Sequence, residues 1–199
     1  MKKVCLIILI VFSATCLITV NLLFLNFKND NEKPQCSIEK VEKYNVRDVS
    51  YNFKKLDEMT KKYEIKVNYL KSFILDGEKM EDNEEYYFYT SDDNFVNNVK
   101  ENSEQYGVYE VTVKINNTTN GYMNCINFSV EDEKNIVVAA DFKVEADNVK
   151  EKSEETFYIV VLTNETEEQV KKLLISSGLK VGYETGDNLN VSHEVYIDK

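Results

Sequence analysis

The chain reads as mainly β. We expect an antiparallel β-sandwich, immunoglobulin-like in the loose sense, with two short helices and an N-terminal transmembrane helix. Three observations predict this. Apolar and polar residues alternate with period two in several short runs. Turn-forming residues separate those runs every 8–15 residues. Only two segments show helical periodicity with caps. An α+β domain with both helices on one face of a single sheet is the alternative.

The membrane helix is the first element. After Met1-Lys2-Lys3 an apolar run covers residues 4–27, interrupted by no charge. At 1.5 Å per residue it reaches about 36 Å, enough for a hydrocarbon core of about 30 Å with some tilt. Lys2 and Lys3 hold their end in the cytoplasm, so the remainder is exported. Residues 1–3 are then a cytoplasmic stub and 4–27 a signal-anchor. Residues 28–35, polar and holding Pro34, form a spacer, and 36–199 an extracytoplasmic β-rich domain. Two rival readings are a signal peptide cleaved before Ala14 and a lipid-modified Cys16. The first leaves a dozen apolar residues unexplained, and Thr15 suits the second poorly.

Strands follow in order. Tyr63, Ile65, Val67 and Tyr69 alternate with polar neighbours, and residues 85–90 form an aromatic strand. Tyr109, Val111, Val113 and Ile115 alternate, then Asn116-Asn117-Thr118-Thr119-Asn120-Gly121, then Ile126, Phe128 and Val130. This predicts a hairpin over about 108–130. Residues 136–144, 156–163, 179–184 and 191–198 complete the sheets.

The helices lie at 92–105 and 164–177. The second has Asn164 as cap with Glu167 three residues on, Val170, Leu173 and Leu174 on one face, and Gly178 just beyond. The first has Asp92 and Asp93 in front, a Phe95-Val96-Val99 stripe and Gly107 after it. Each follows a strand ending in Thr (Thr90, Thr163) at a spacing of about 73 residues. An internal duplication would produce this; so would any mixed domain with strand–helix–glycine–strand order.

Composition narrows function. Without the N-terminal segment, 22 Lys+Arg face 35 Asp+Glu, a formal charge of −13. Such a surface repels phosphate backbones, so nucleic acid is not an expected partner. Arg occurs once, Pro once and Trp never, a bias that fits an AT-rich bacterial genome. It also explains N-x-Ser/Thr triplets at Asn116, Asn117, Asn127, Asn164 and Asn190, which would mark glycosylation in a eukaryotic secreted chain. Cys5 and Cys16 sit in the apolar run, while exported Cys36 and Cys125 are a possible disulfide closing a loop of nearly 90 residues.

Chemistry is thinly supplied. His193 is the only histidine, there is no Gly-x-Ser-x-Gly turn, and no short-spaced Cys/His set suits zinc. No catalytic, cofactor-binding or metal residue is therefore assigned. Acid runs at 81–85, 92–94 and 131–133 fit no calcium-loop pattern. The 13 tyrosines stand out, with Tyr86, Tyr87 and Tyr89 crowding one strand. Tyrosine offers apolar area plus a hydroxyl, which suits a protein, peptide or glycan partner. The expected function is a single-pass, membrane-anchored extracytoplasmic binding module without catalysis. A regulatory or sensor subunit on a membrane partner and a carboxylate-based hydrolase are the alternatives.

Overall fold

A computed structural model describes residues 33–44, 50–59, 61–139, 148–185 and 192–197. The expected anchor at 4–27, with Cys5 and Cys16, lies outside them, as does Asn190. Among the described residues no helix is long and apolar enough to cross a membrane.

Among the described residues the fold is mainly β, with three antiparallel sheets and two α-helices. The strands are β1 (Gln35–Lys43), β2 (Ser50–Asp57), β3 (Lys62–Leu75), β4 (Glu78–Thr90), β5 (Gly107–Asn116), β6 (Met123–Ser129), β7 (Ile136–Val138), β8 (Asn148–Val149), β9 (Glu154–Thr163), β10 (Lys180–Thr185) and β11 (Ser192–Tyr196). Helix α1 (Asp93–Glu101) lies between β4 and β5, and α2 (Glu167–Ser176) between β9 and β10. The central sheet runs β1-β5-β9-β7, the second β11-β10-β6-β8 and the third β2-β3-β4.

The central sheet belongs to two cores. Val111, Val113, Ile115, Phe157, Ile159 and Val161 pack with Phe128 and Val181 of the second sheet and with Val170 and Leu174 of α2. Val108, Val160 and Leu162, whose side chains leave the opposite face, pack with Ile65, Val67 and Phe88 of the third sheet and with Phe95, Val96 and Val99 of α1. This explains β9. Its first half alternates, because one face meets solvent, and from Ile159 to Thr163 every residue is buried, because both faces are covered. The helices serve different cores, which overturns the alternative of two helices on one face of a single sheet.

The hairpin expected over 108–130 does not form. β5 pairs with β1 and β9, whereas β6 pairs with β10 and β8. The linking segment arches from one sheet to another. Its pivot is Asn117, fully buried, whose amide nitrogen meets the carbonyls of Gly121 (2.7 Å), Lys150 (3.0 Å) and Val149 (3.3 Å). Its Oδ1 accepts from the Thr119 hydroxyl at 2.7 Å and the Thr119 N–H at 3.1 Å. A glycan on Asn117 is incompatible with that burial.

The true hairpin is β3–β4, paired from Tyr63↔Thr90 to Leu75↔Glu78. Asp76 (φ 51°) and Gly77 (φ 85°) form the two-residue turn, whose positive φ at both positions matches the right-handed strand twist.

Both helices end as their caps dictate. The Asp92 carboxylate accepts from the N–H groups of Asn94 and Phe95 (2.8 and 3.2 Å). α2 is capped by Thr166 with Gln169, two residues beyond the expected Asn164. Its other end is a Schellman motif: Leu179 N–H donates to the Leu174 carbonyl and Gly178 N–H to that of Ile175, with Gly178 at φ 69°.

Candidate interaction surface

Strand geometry separates the three tyrosines singled out in the sequence. Side chains alternate faces, so Tyr86 leaves β4 on one side and Tyr87 and Tyr89 on the other. All three are half-buried.

Tyr86 stacks on Tyr69 with ring centroids 5.3 Å apart, and Tyr69 stacks on Tyr44 at 4.9 Å. The Tyr44 hydroxyl donates to Glu110 at 2.6 Å and the Tyr69 hydroxyl to Glu84 at 2.8 Å. Burial first, then these carboxylate acceptors and the neighbouring hydroxyls, push both phenols well above the ordinary tyrosine range. Both phenols are therefore held in their protonated form. Tyr87 and Tyr89 face lysines instead: Lys66 lies 5.7 Å from the Tyr87 ring and Lys62 5.1 Å from that of Tyr89. Tyr106 is buried edge-on to Phe95, and Tyr109 donates to the Glu165 carbonyl at 2.6 Å. These side chains do not converge on one concavity.

The other candidates take structural roles. His193 stacks on Tyr183 across the β10–β11 pair and meets the Thr185 hydroxyl at 3.0 Å. Cys36 is buried in the core, whereas Cys125 is exposed, and no disulfide joins them. Cys125 sits at φ 51° where β6 slips register against β10, and that bulge turns its side chain outward. Glu131 accepts from Tyr196, and Glu133 from Thr90 and Ser91, so this acid run ties the sheets together. Among the described residues no group of three or more His, Cys, Asp or Glu side chains is arranged to hold a metal ion.

Among the described residues two solvent-open concavities stand out. One, about 700 Å³, adjoins the start of β1 and includes Lys33, Lys114, Glu154 and Tyr196. The Lys114–Glu154 ion pair (2.8 Å) bridges two of its lining residues. The other, about 410 Å³, lies between β6 and β7 and is lined by Ile126, Phe128, Val130 and Val137 among others.

The sequence reading passed over a more distinctive surface. Among the described residues β2 covers β3 as far as the Ser50↔Asn68 pair, and β3 and β4 stay paired to Leu75↔Glu78. Beyond Tyr69 the ribbon leaves the core and projects as an arm of about 20 Å at the usual strand rise. Its end carries Ile74 (76% exposed), Leu75 (57%) and Met80 (43%), which are three of the seven large exposed apolar side chains among the described residues. Around them lie Asp76, Glu78, Glu81 and Asp82, with Lys79 paired to Glu81 at 3.4 Å. The signal available in the sequence was Asp76-Gly77 between residues of strand propensity.

Comparisons with protein-family models, with curated proteins and with solved structures return no match.

Proposed function

We propose that this chain is a membrane-anchored extracytoplasmic binding module without catalytic activity. Its sheets form a loosely immunoglobulin-like sandwich that presents a projecting arm. The observation that carries the reading is the arm itself. Two strands extend well past the described core they serve, and their tip exposes three large apolar side chains. Isolated exposed apolar residues are ordinary, but large ones on both faces of a protruding tip, Ile74 on one and Leu75 with Met80 on the other, mark an interaction site. The uncharged run at 4–27 behind Lys2 and Lys3 supports the anchor.

The test has two arms on the full-length chain. In intact bacterial cells with a permeabilised outer envelope, added protease is expected to digest the 33–199 region, while the chain resists carbonate extraction from membranes. Protection from protease, or release by carbonate, overturns the topology. Photo-crosslinkers placed in turn at Ile74, Tyr87, Tyr122 and Tyr158 are expected to capture one defined protein from at least one position. A domain that captures nothing from any face is not a binding module.

A further inference from the structure

We infer that the tip of the β3–β4 arm is a plug for a partner protein whose receiving cleft is apolar and rimmed by Lys or Arg. The inference rests on the binding-module reading and names its site.

The arm differs from the rest of the third sheet. Ile65, Val67 and Phe88 at its base are fully buried between this sheet, α1 and the central sheet. At the far end no described element lies above or below the Leu75↔Glu78 and Ile74↔Lys79 pairs, and their side chains are exposed. A hairpin that served only the core would stop near the Tyr69↔Glu84 pair.

Charge selects among possible occupants. The leading edge is the turn, Asp76-Gly77, followed by Glu78; Glu81 and Asp82 flank it, with only Lys71 and Lys79 of opposite sign. Entering a bilayer, the tip would take Asp76 and Glu78 into hydrocarbon before Leu75 or Met80 gained anything, and anionic headgroups would repel it. A second copy would bring acid against acid on a chain of net charge −11. A cleft that takes Ile74, Leu75 and Met80 and returns Lys or Arg to Asp76, Glu78 and Asp82 satisfies both features. The acids also keep the open ribbon edges from pairing with copies of themselves.

The experiment uses the full chain in zwitterionic nanodiscs. Two fluorescent helical probes are titrated by anisotropy, one built of leucine and lysine, the other of leucine and glutamate. The expected result is saturable binding of the leucine–lysine probe only. It weakens about tenfold or more in Ile74→Ser/Leu75→Ser/Met80→Ser, a loss typical of removing interface anchors. Added salt weakens it further. In Glu78→Lys/Glu81→Lys/Asp82→Lys the preference switches to the leucine–glutamate probe. Near-UV circular dichroism verifies that both variants keep the fold. Equal binding of both probes, or no effect of the serine variant, overturns the plug while leaving the module reading to the crosslinks at other faces. Tip-dependent binding to anionic vesicles, or self-association abolished by the serine variant, overturns it in favour of a membrane or a second copy.

Discussion

Thr90 and Thr163 do the same job at the ends of different strands. Each is buried and precedes a helix, and each hydroxyl accepts from the N–H two residues on: Asp92 at 3.0 Å, Glu165 at 3.3 Å. Each donates to the 131–135 loop, Thr90 to the Glu133 carboxylate at 2.6 Å and Thr163 to the Asn135 carbonyl at 2.7 Å. In both cases the following helix carries the chain into another sheet, β4 to β5 and β9 to β10. One loop therefore ties down both crossovers.

Thr163→Val keeps the shape and removes the hydroxyl. The Asn135 carbonyl and the Glu165 N–H lose their partner, at a cost of about 1–3 kcal/mol. Thr163→Ser retains the bonds and is expected to cost less than half as much. The same order is expected at Thr90. Urea unfolding of the four variants measures it; equal loss in Val and Ser variants would show that packing, not the hydroxyl, matters there.

The arch at Asn117 depends on an amide that both donates and accepts. Asn117→Ala abandons several buried carbonyls and should destabilise by about 3 kcal/mol. Asn117→Asp places a carboxylate against those carbonyls, so burial and repulsion raise its pKa. A group whose folded pKa is raised destabilises most above that value, and the penalty shrinks on acidification. Denaturation midpoints relative to wild type should accordingly converge as pH falls from 7 to 5.

Gly182 faces Asn127 across the β10–β6 pair, and a Cβ there would sit 2.5 Å from Asn127 Oδ1. Gly182→Ala should cost about 0.5–1 kcal/mol, because the exposed Asn127 side chain must turn aside. Asn127 is exposed, so Gly182→Ala/Asn127→Ala should recover most of it. A double-mutant cycle without coupling would refute the contact.

Alkaline pH should unfold this protein through its tyrosines. Burial pushes Tyr51 up to about 12, and Tyr44 and Tyr69 are raised further. In the unfolded chain they titrate near 10. Their contribution is thus intact below about pH 10 and is lost as pH rises through 10 to 12 and beyond. Absorbance at 295 nm should show these phenols ionising together with unfolding, after the exposed ones. Tyr51→Phe should make the loss of stability between pH 10 and 12 shallower.

Where a segment meets one core, its sequence was readable. β5 alternates cleanly from Tyr109 onward, where only its inner face meets a core, and α2 shows its stripe and its C-terminal glycine. β1 escaped because a slip between Ile38 and Lys40 shifts the phase of its alternation. Pairing was the harder question. The polar run after Ile115 suits a tight turn as well as an arch, and only the burial of Asn117 distinguishes them. The second strand of the arm, Glu78 to Glu85, is nearly all polar because no core selects its side chains. The tyrosines looked like one surface because composition does not record which face a strand presents.

The register of the arm also bears on the order in which the chain folds. β3 and β4 join through two residues, so their pairing needs no distant partner and can form on the microsecond scale of hairpins. β1 must wait for β5, and β5 for β9, with long stretches of chain between. Such separations slow folding. The arm's pairing is therefore the most local in the fold, but it holds only once the sheets behind it have formed, because a lone two-stranded ribbon is marginal in water.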